Sequence, residues 1–285
     1  MGMIRKKENG RIKKSIFLLL FLMVVFACSN NYDWVNSLPK PWTLSNKEVS
    51  KILPEFYKRF PDFYDRLKAF AIWRVGTPYD IFKLGEEAEP DLDPIIRLDV
   101  SDCTVHVLTS LAFTQSKSWN EARRKMIAIH YKDGTPTYKT RWHYTSDRIS
   151  FHPSTVDITT ELLSQGELEI IDIVLNQKLD GSEFLDLDWK KESTLLYIPN
   201  NNINKKLLSK LPDVCGIAFV KKDYFKSGIV IAHEGILINN KNLNHASSEY
   251  GQTVNVDFMD YYFRESGPLF DGLFIYRFEP LGKNN

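Results

Sequence analysis

Cys103, His233 and His245 are the residues of this 285-residue chain whose types and spacing most directly suggest chemistry. Cys103 opens the segment VSDCTVHVLTSLAF, and the histidines stand in IVIAHEGILINNKNLNHASS. A thiol attacks an acyl carbon as thiolate, and a free cysteine with a pKa near ~8.5 supplies only a few per cent at neutral pH. The first turn of a helix helps, because its unpaired N–H groups and macrodipole favour negative charge. The N–H of Cys103 itself can then donate to the oxyanion of a tetrahedral intermediate. His233 ends an apolar run containing Ile229, Val230 and Ile231, so a rigid strand holds it as a general base. His245 comes 12 residues later, beyond a turn at 239–244, and can return beside His233 to fix its tautomer. Nucleophile, base and orienting group together make a cysteine hydrolase.

The other histidines fit less well. His106 lies one helical turn beyond Cys103, where a base has poor reach toward a leaving group, so cleft lining or core is its expected place. His130, His143 and His152 form no H-E-x-x-H or C-x-x-C pattern, and neither metal nor cofactor is expected.

The elements that must position these residues begin after an export signal. Six basic residues between Arg5 and Lys14 precede an apolar run of 12 residues, Ile16 to Ala27, too short for a spanning helix of roughly 20. The run ends in Val25-Phe26-Ala27-Cys28, which resembles a lipobox, so residues 1–27 are expected to be cleaved and Cys28 lipidated. Cleavage also lowers the formal charge from +1 to about −4, and no basic stripe for nucleic acid remains. Only Cys103 and Cys215 are then left, too few for a disulfide framework. Cys215, in VCGIAFV, is expected as a small buried hydrophobe.

Residues 28–45 are polar and proline-marked, as a tether would be, and 46–285 form one elaborated domain. In 47–76 apolar residues such as Phe63, Leu67, Phe70 and Ala71 recur at helical spacing, and Pro54 and Pro61 are expected to divide this region into short helices. An acidic, proline-rich loop at 77–97 includes the stretch Glu86 to Asp93. A helix follows from Thr104 to about Gln115, with Asp102 as its N-cap and Val107, Leu108, Leu111 and Ala112 as one apolar stripe. Residues 126–147 alternate around Asp133-Gly134 and predict an inserted β-hairpin. From that hairpin Arg141, His143 and Asp147 are candidate substrate contacts. A helix is expected at 156–163, strands at LEIIDIVL and STLLYIP, and an antiparallel meander in the last third. Helices first and antiparallel strands afterwards imply an α+β fold with a helical layer on one side of the sheet.

The set Gly76-Thr77-Pro78-Tyr79, Asp102-Cys103, His233-Glu234-Gly235-Ile236 and His245-Ala246 resembles the NlpC-type branch of the papain-like cysteine hydrolases of bacterial cell walls. More narrowly, LDVSDCTVHV, IAIHY, the run from Arg141 to Asp147 and NHASS are similar to an N-acetylmuramoyl-L-alanine amidase-like subgroup, over roughly residues 65–280. The resemblance implies a papain-like α+β fold and hydrolysis of a peptidoglycan amide by Cys103, His233 and His245. It also implies Tyr79 as a hydroxyl near the thiol, an oxyanion donor, with Asp102 beside it. Thr104-Val105 stands where many relatives carry Ser-Gly, and the inserted region has no counterpart in the minimal fold. The bond between N-acetylmuramic acid and L-alanine is the first expectation for the substrate. A γ-D-glutamyl to diamino-acid bond in the stem peptide is the alternative, and a catalytically inactive wall-binding lipoprotein is a third reading. The implied partners are peptidoglycan or muropeptide fragments and, through Cys28, a membrane facing the periplasm or cell surface.

Overall fold

The computed structural model describes residues 31–282. The expected signal segment 1–27 and Cys28 lie outside the described residues. Residues 31–37 are helical, and Ser37 Oγ donates to the Trp34 carbonyl at 2.8 Å. They belong to a unit ending at Pro39, and a larger unit begins at Lys40.

In the larger unit, helix α1 (Asn46–Arg59) starts at a capping box in which Ser45 and Glu48 satisfy each other's backbone N–H. Pro54 was expected to end a helix and does not. The ring removes one backbone bond, but Val49, Leu53 and Phe56 bury one face around it and hold α1 continuous. Pro61 is the true break, and Asp62 caps α2 (Phe63–Trp73) by accepting from the N–H groups of Tyr64 and Asp65. Phe56 and Phe70 stack across the two helices at 4.0 Å.

Helix α3 (Cys103–Thr114) is the centre of the helical layer. Every residue from Val105 to Thr114 is buried, since α2 and α4 (Trp119–His130) pack on it from one side and the sheet from the other. The single apolar stripe expected for this helix is therefore a helix covered all round.

The expected hairpin at 126–147 is absent. Met126, Ile129 and His130 are buried at spacings of three and one, which is helical, and they complete α4. Beyond it the chain makes two 3-10 turns (Lys132–Gly134, Tyr138–Thr140), one isolated bridge between Tyr131 and Arg141, and helix α5 (Thr145–Phe151). Short apolar runs satisfy both periods, and here the contact with α3 decided.

The sheet is antiparallel throughout. Its strands are β1 (Thr155–Asp157), β2 (Glu169–Leu175), β3 (Lys191–Pro199), β4 (Val214–Val220), β5 (Ile231–Ile238), β6 (Asn242–Ser247), β7 (Gln252–Asp257) and, after the small β8/β9 hairpin (Phe263–Arg264, Gly267–Pro268), β10 (Gly272–Phe278). The order is β2-β3-β10-β4-β5-β6-β7, with β1 on the free part of β10. Strands β4 to β7 form the expected meander, but β10 returns to pair between β3 and β4. Both central strands are buried along almost their whole length, so their sequences are continuous apolar runs rather than alternating ones. The helix expected at 156–163 is split between β1 and a short helix, Thr159–Leu162. Among the described residues no helix is long and apolar enough to cross a membrane.

Candidate active site

Cys103 is the first residue of α3. Its N-cap, Asp102, accepts the Val105 N–H on Oδ1 at 2.8 Å and the Phe82 N–H on Oδ2 at 2.9 Å. Each oxygen thus holds a backbone N–H, one at the helix start and one in the loop beside it, so Asp102 is first a structural cap at the cleft wall. The thiol is free and partly exposed. Burial pushes it up to about 12, the carboxylates of Asp102 and Glu234 add to this, and the Glu234 backbone N–H and Thr104 hydroxyl oppose it. Desolvation therefore favours a resting thiol over the thiolate expected from its position at the helix N-terminus.

His233 and His245 meet as the spacing predicted. Pairing of Ile236 with Asn244 and of Ile238 with Asn242 places His245 across from Gly235, one diagonal step from His233 on the same face. The tight turn relies on Asn239 and Asn240 at positive φ. His233 Nε2 and His245 Nδ1 are hydrogen-bonded at 2.8 Å. Gly235 makes this approach possible, because a Cβ there would lie 2.8 Å from Leu243 Cδ1 and 3.0 Å from His245 Cβ. Replacing Gly235 by valine is therefore expected to part the two rings and cost about 1–3 kcal/mol of stability. Thermal denaturation checks this, and an unchanged Tm would show that β6 yields without cost.

Phe219 stacks on the His233 ring at 5.3 Å, with Phe270 nearly parallel to it at 6.2 Å. Burial in this aromatic setting, and then His245, hold His233 well below the usual imidazole range. Burial lowers His245 to about 4, against opposing contributions from the Ala246 backbone and Glu249. Both rings are neutral at neutral pH.

The strap Gly76-Thr77-Pro78-Tyr79 runs along the start of β7. Gly76 donates to the Thr253 carbonyl at 2.8 Å with φ +93°, Thr253 donates to Thr77, and Tyr79 donates to Gly251. Tyr79 also bridges Ser101, two residues before Cys103, and both Tyr79 and Cys103 line the same cleft. Burial raises the phenol, and Cys103 is the next cause, so the two groups feel each other.

Tyr79, Cys103 and His233 line one cleft of about 1040 Å³, and His245 lies behind His233. Arg141 and His143 line it as well, but the structure commits them locally. Arg141 is paired with Glu86 at 2.6 Å and Asp91 at 2.8 Å, so the acidic loop is pinned to the cleft wall and neutralises the guanidinium. His143 Nε2 donates to the Tyr138 carbonyl at 2.6 Å, and burial lowers the ring to about 4. Asp147 does not reach the cleft: it is buried on α5 and held by Lys191 at 2.5 Å and Lys132 at 3.6 Å. Its sequence neighbours face the cavity, and the helical turn at Thr145 rotates it away. His106 is fully buried under α3, near Asn244, and belongs to the core. Cys215 is fully buried too. Among the described residues no three His, Cys, Asp or Glu side chains gather as a metal-binding group.

Sequence reasoning missed Tyr261. Its ring lies 4.5 Å from that of His245 and 6.4 Å from that of His233, and Cys103 is among the groups that raise its phenol. The only legible signal was Asp257, which caps the short helix Phe258–Tyr262. Nor was the apolar rim foreseen: Ile81, Phe82, Phe184 and Tyr224 line the cleft while remaining 40–79% exposed.

Two crystal structures share this fold. A Legionella pneumophila protein of the family DUF1460 is 22% identical, with a TM-score of 0.70 over 82% of this chain and 94% of its own. An N-acetylmuramoyl-L-alanine amidase of Bacteroides uniformis is 20% identical, with a TM-score of 0.58 over 75% of this chain and 98% of its own. Identities this low speak for the fold alone. No curated protein matches the sequence. The AmiA-like family model, described as N-acetylmuramoyl-L-alanine amidase-like, matches residues 70–267, a span that contains Tyr79, Cys103, both paired histidines and Tyr261. Since that span is well over half of the chain, the protein belongs to the AmiA-like, N-acetylmuramoyl-L-alanine amidase-like family.

Proposed function

We propose that this protein is a cysteine amidase with an NlpC-type, papain-like active site that cleaves the bond between N-acetylmuramic acid and L-alanine in peptidoglycan. The observation that carries the reading is that His233, bonded to His245 at 2.8 Å, lines the same cleft as a free cysteine at a helix N-terminus. With Nε2 of His233 turned to His245, Nδ1 is left to take the thiol proton as Sγ attacks the lactyl carbonyl carbon. His245 stabilises the imidazolium through its accepting Nδ1. The Cys103 N–H and the Tyr79 hydroxyl are the donors for the oxyanion. Collapse breaks the C–N bond, and His233 returns its proton to the leaving amine of alanine. Water, deprotonated by His233, then hydrolyses the thioester. Because thiol and imidazole are both neutral at rest, proton transfer accompanies attack rather than preceding it.

The cleft suits a glycopeptide. Its exposed aromatic rim offers faces for a sugar, and Lys226, beside Lys221 whose ammonium donates to the Leu269 carbonyl, offers charge to stem-peptide carboxylates. The assay is incubation with defined muropeptides followed by mass spectrometry. Release of the intact stem peptide is the expected result. A cut within the stem would replace the amidase reading with an endopeptidase, and binding without cleavage would leave a wall-binding module.

The basic and apolar runs before Cys28 support export and lipid attachment at that residue. Cys28→Ser is expected to move the protein from the membrane to the soluble fraction; membrane retention equal to wild type would overturn this.

A further inference from the structure

The residue that follows the proposed base is a buried carboxylate. Glu234 and Arg148 are each 1% exposed and Tyr276 is fully buried. Arg148 Nη2 donates to Glu234 Oε2 at 2.5 Å, the Tyr276 hydroxyl donates to the same oxygen at 2.7 Å, and the Thr145 hydroxyl lies 3.5 Å from Oε1. The cluster joins three elements: α5, the catalytic strand β5, and β10 on the far side of β4. Tyr276 reaches across because its partner in the ladder is Gly216, where a Cβ would sit 2.1 Å from the tyrosine ring. The fold has kept a glycine so that a phenol can touch this carboxylate.

Burying such a pair costs desolvation, and well-packed apolar residues often do as well for stability. Location offers the better explanation. The Glu234 N–H lies against Cys103 Sγ, and the Glu234 side chain acts electrostatically on the same thiol. Thr145, at the other end of the cluster, lines the cleft.

We propose that Glu234, clamped by Arg148 and Tyr276, is a positioning residue that fixes the catalytic end of β5 against α3 and α5. So held, the Glu234 N–H stays at the thiol and His233 keeps its place in the cleft that both residues share. The clamp also compensates the carboxylate, which would otherwise oppose thiolate formation together with Asp102. This inference rests on the thiol mechanism proposed above.

The full chain is alkylated with iodoacetamide across a pH series, and peptide mass spectrometry follows Cys103 separately from Cys28 and Cys215. Tyr276→Phe keeps the ring on Gly216 and removes one donor from Glu234. Its alkylation midpoint is expected to rise, with the neutral-pH rate falling roughly threefold or more, and kcat falling about tenfold at unchanged KM. Glu234→Gln removes the charge and is expected to move the midpoint the opposite way. It also leaves Arg148 buried without its anion, so if it fails to fold, Tyr276→Phe alone decides. A lower Tm with wild-type midpoint and kcat in Tyr276→Phe would reduce the cluster to a structural one and overturn the proposal. Failure of the thiol mechanism reads differently: protein alkylated at Cys103 would keep its amidase activity, while the midpoints of the two variants would still report whether Glu234 acts on the thiol.

Discussion

Cys103→Ala is expected to lower muropeptide turnover by at least ~10⁴-fold while leaving the fold and stability near wild type. The loss is large because, in the proposed mechanism, the whole reaction passes through one bond to Sγ. Neither the oxyanion donors nor the paired histidines can supply a nucleophile of their own. Structural damage is small because the residue is half-buried and lines an open cleft, which its truncation widens. His233→Ala is expected to match much of this loss, since a thiol raised to about 12 has almost no thiolate at neutral pH without a base beside it. The comparison to make is the rate of stem-peptide release per folded molecule, with folding judged by circular dichroism. Activity that survived Cys103→Ala would end the thiol mechanism.

A second large effect is expected in acid. The chain has six histidines, and the fold lowers every one of them, burial being the leading cause at each: His106, His130, His143, His152, His233 and His245. Two are held at about 4. In the unfolded chain they would titrate near ~6.5. Between these limits the unfolded state binds protons that the folded state refuses, so stability is present above ~6.5 and is lost as pH falls. The five histidines held at about 4 or well below the usual range each contribute about 1.4 kcal/mol per pH unit below that point and together remove as much as roughly 7 kcal/mol by pH 5.5, with His152 acting in the same direction. That is comparable with the whole stability of an ordinary domain, about 5–15 kcal/mol. Carboxylates raised by burial, such as Asp102, Glu86 and Asp157, work in the opposite sense but only near and below their own folded values. Urea unfolding midpoints measured from pH 8 to 5 should therefore collapse between about pH 6.5 and 5, and a flat profile to pH 5 would contradict the buried neutral histidines. The acid limb of activity should follow this unfolding, because His233 remains a free base well below the ordinary imidazole range.

Much of the candidate site was legible because its parts are local. Asp102 before Cys103 announces a capped helix, and the capping bond is present. The 12-residue step between His233 and His245 fixes a hairpin with both rings on one face, since strand side chains alternate with a period of two. Gly235 stands between them for a reason that only the neighbouring strand reveals. The hairpin expected at 126–147 failed because Met126, Ile129 and His130 fit a helix as well as a strand, and burial against α3 chose the helix. Asp147 left the site with that change, as it sits on a helical turn and answers two lysines.

By itself, then, the sequence determined which residues can react and the short-range order that presents them: a capped cysteine, a histidine strand and its returning partner. Capping and strand alternation act over a few residues, so they are written in the chain. Tertiary structure alone decided the surroundings. It brought Tyr261 against His245, set Arg148 and Tyr276 on Glu234 from 86 and 42 residues away, and buried His106, His130, His152 and His245. It also made the resting thiol neutral. Desolvation and the field of distant charges depend on what packs around a group, and no spacing along the chain encodes them.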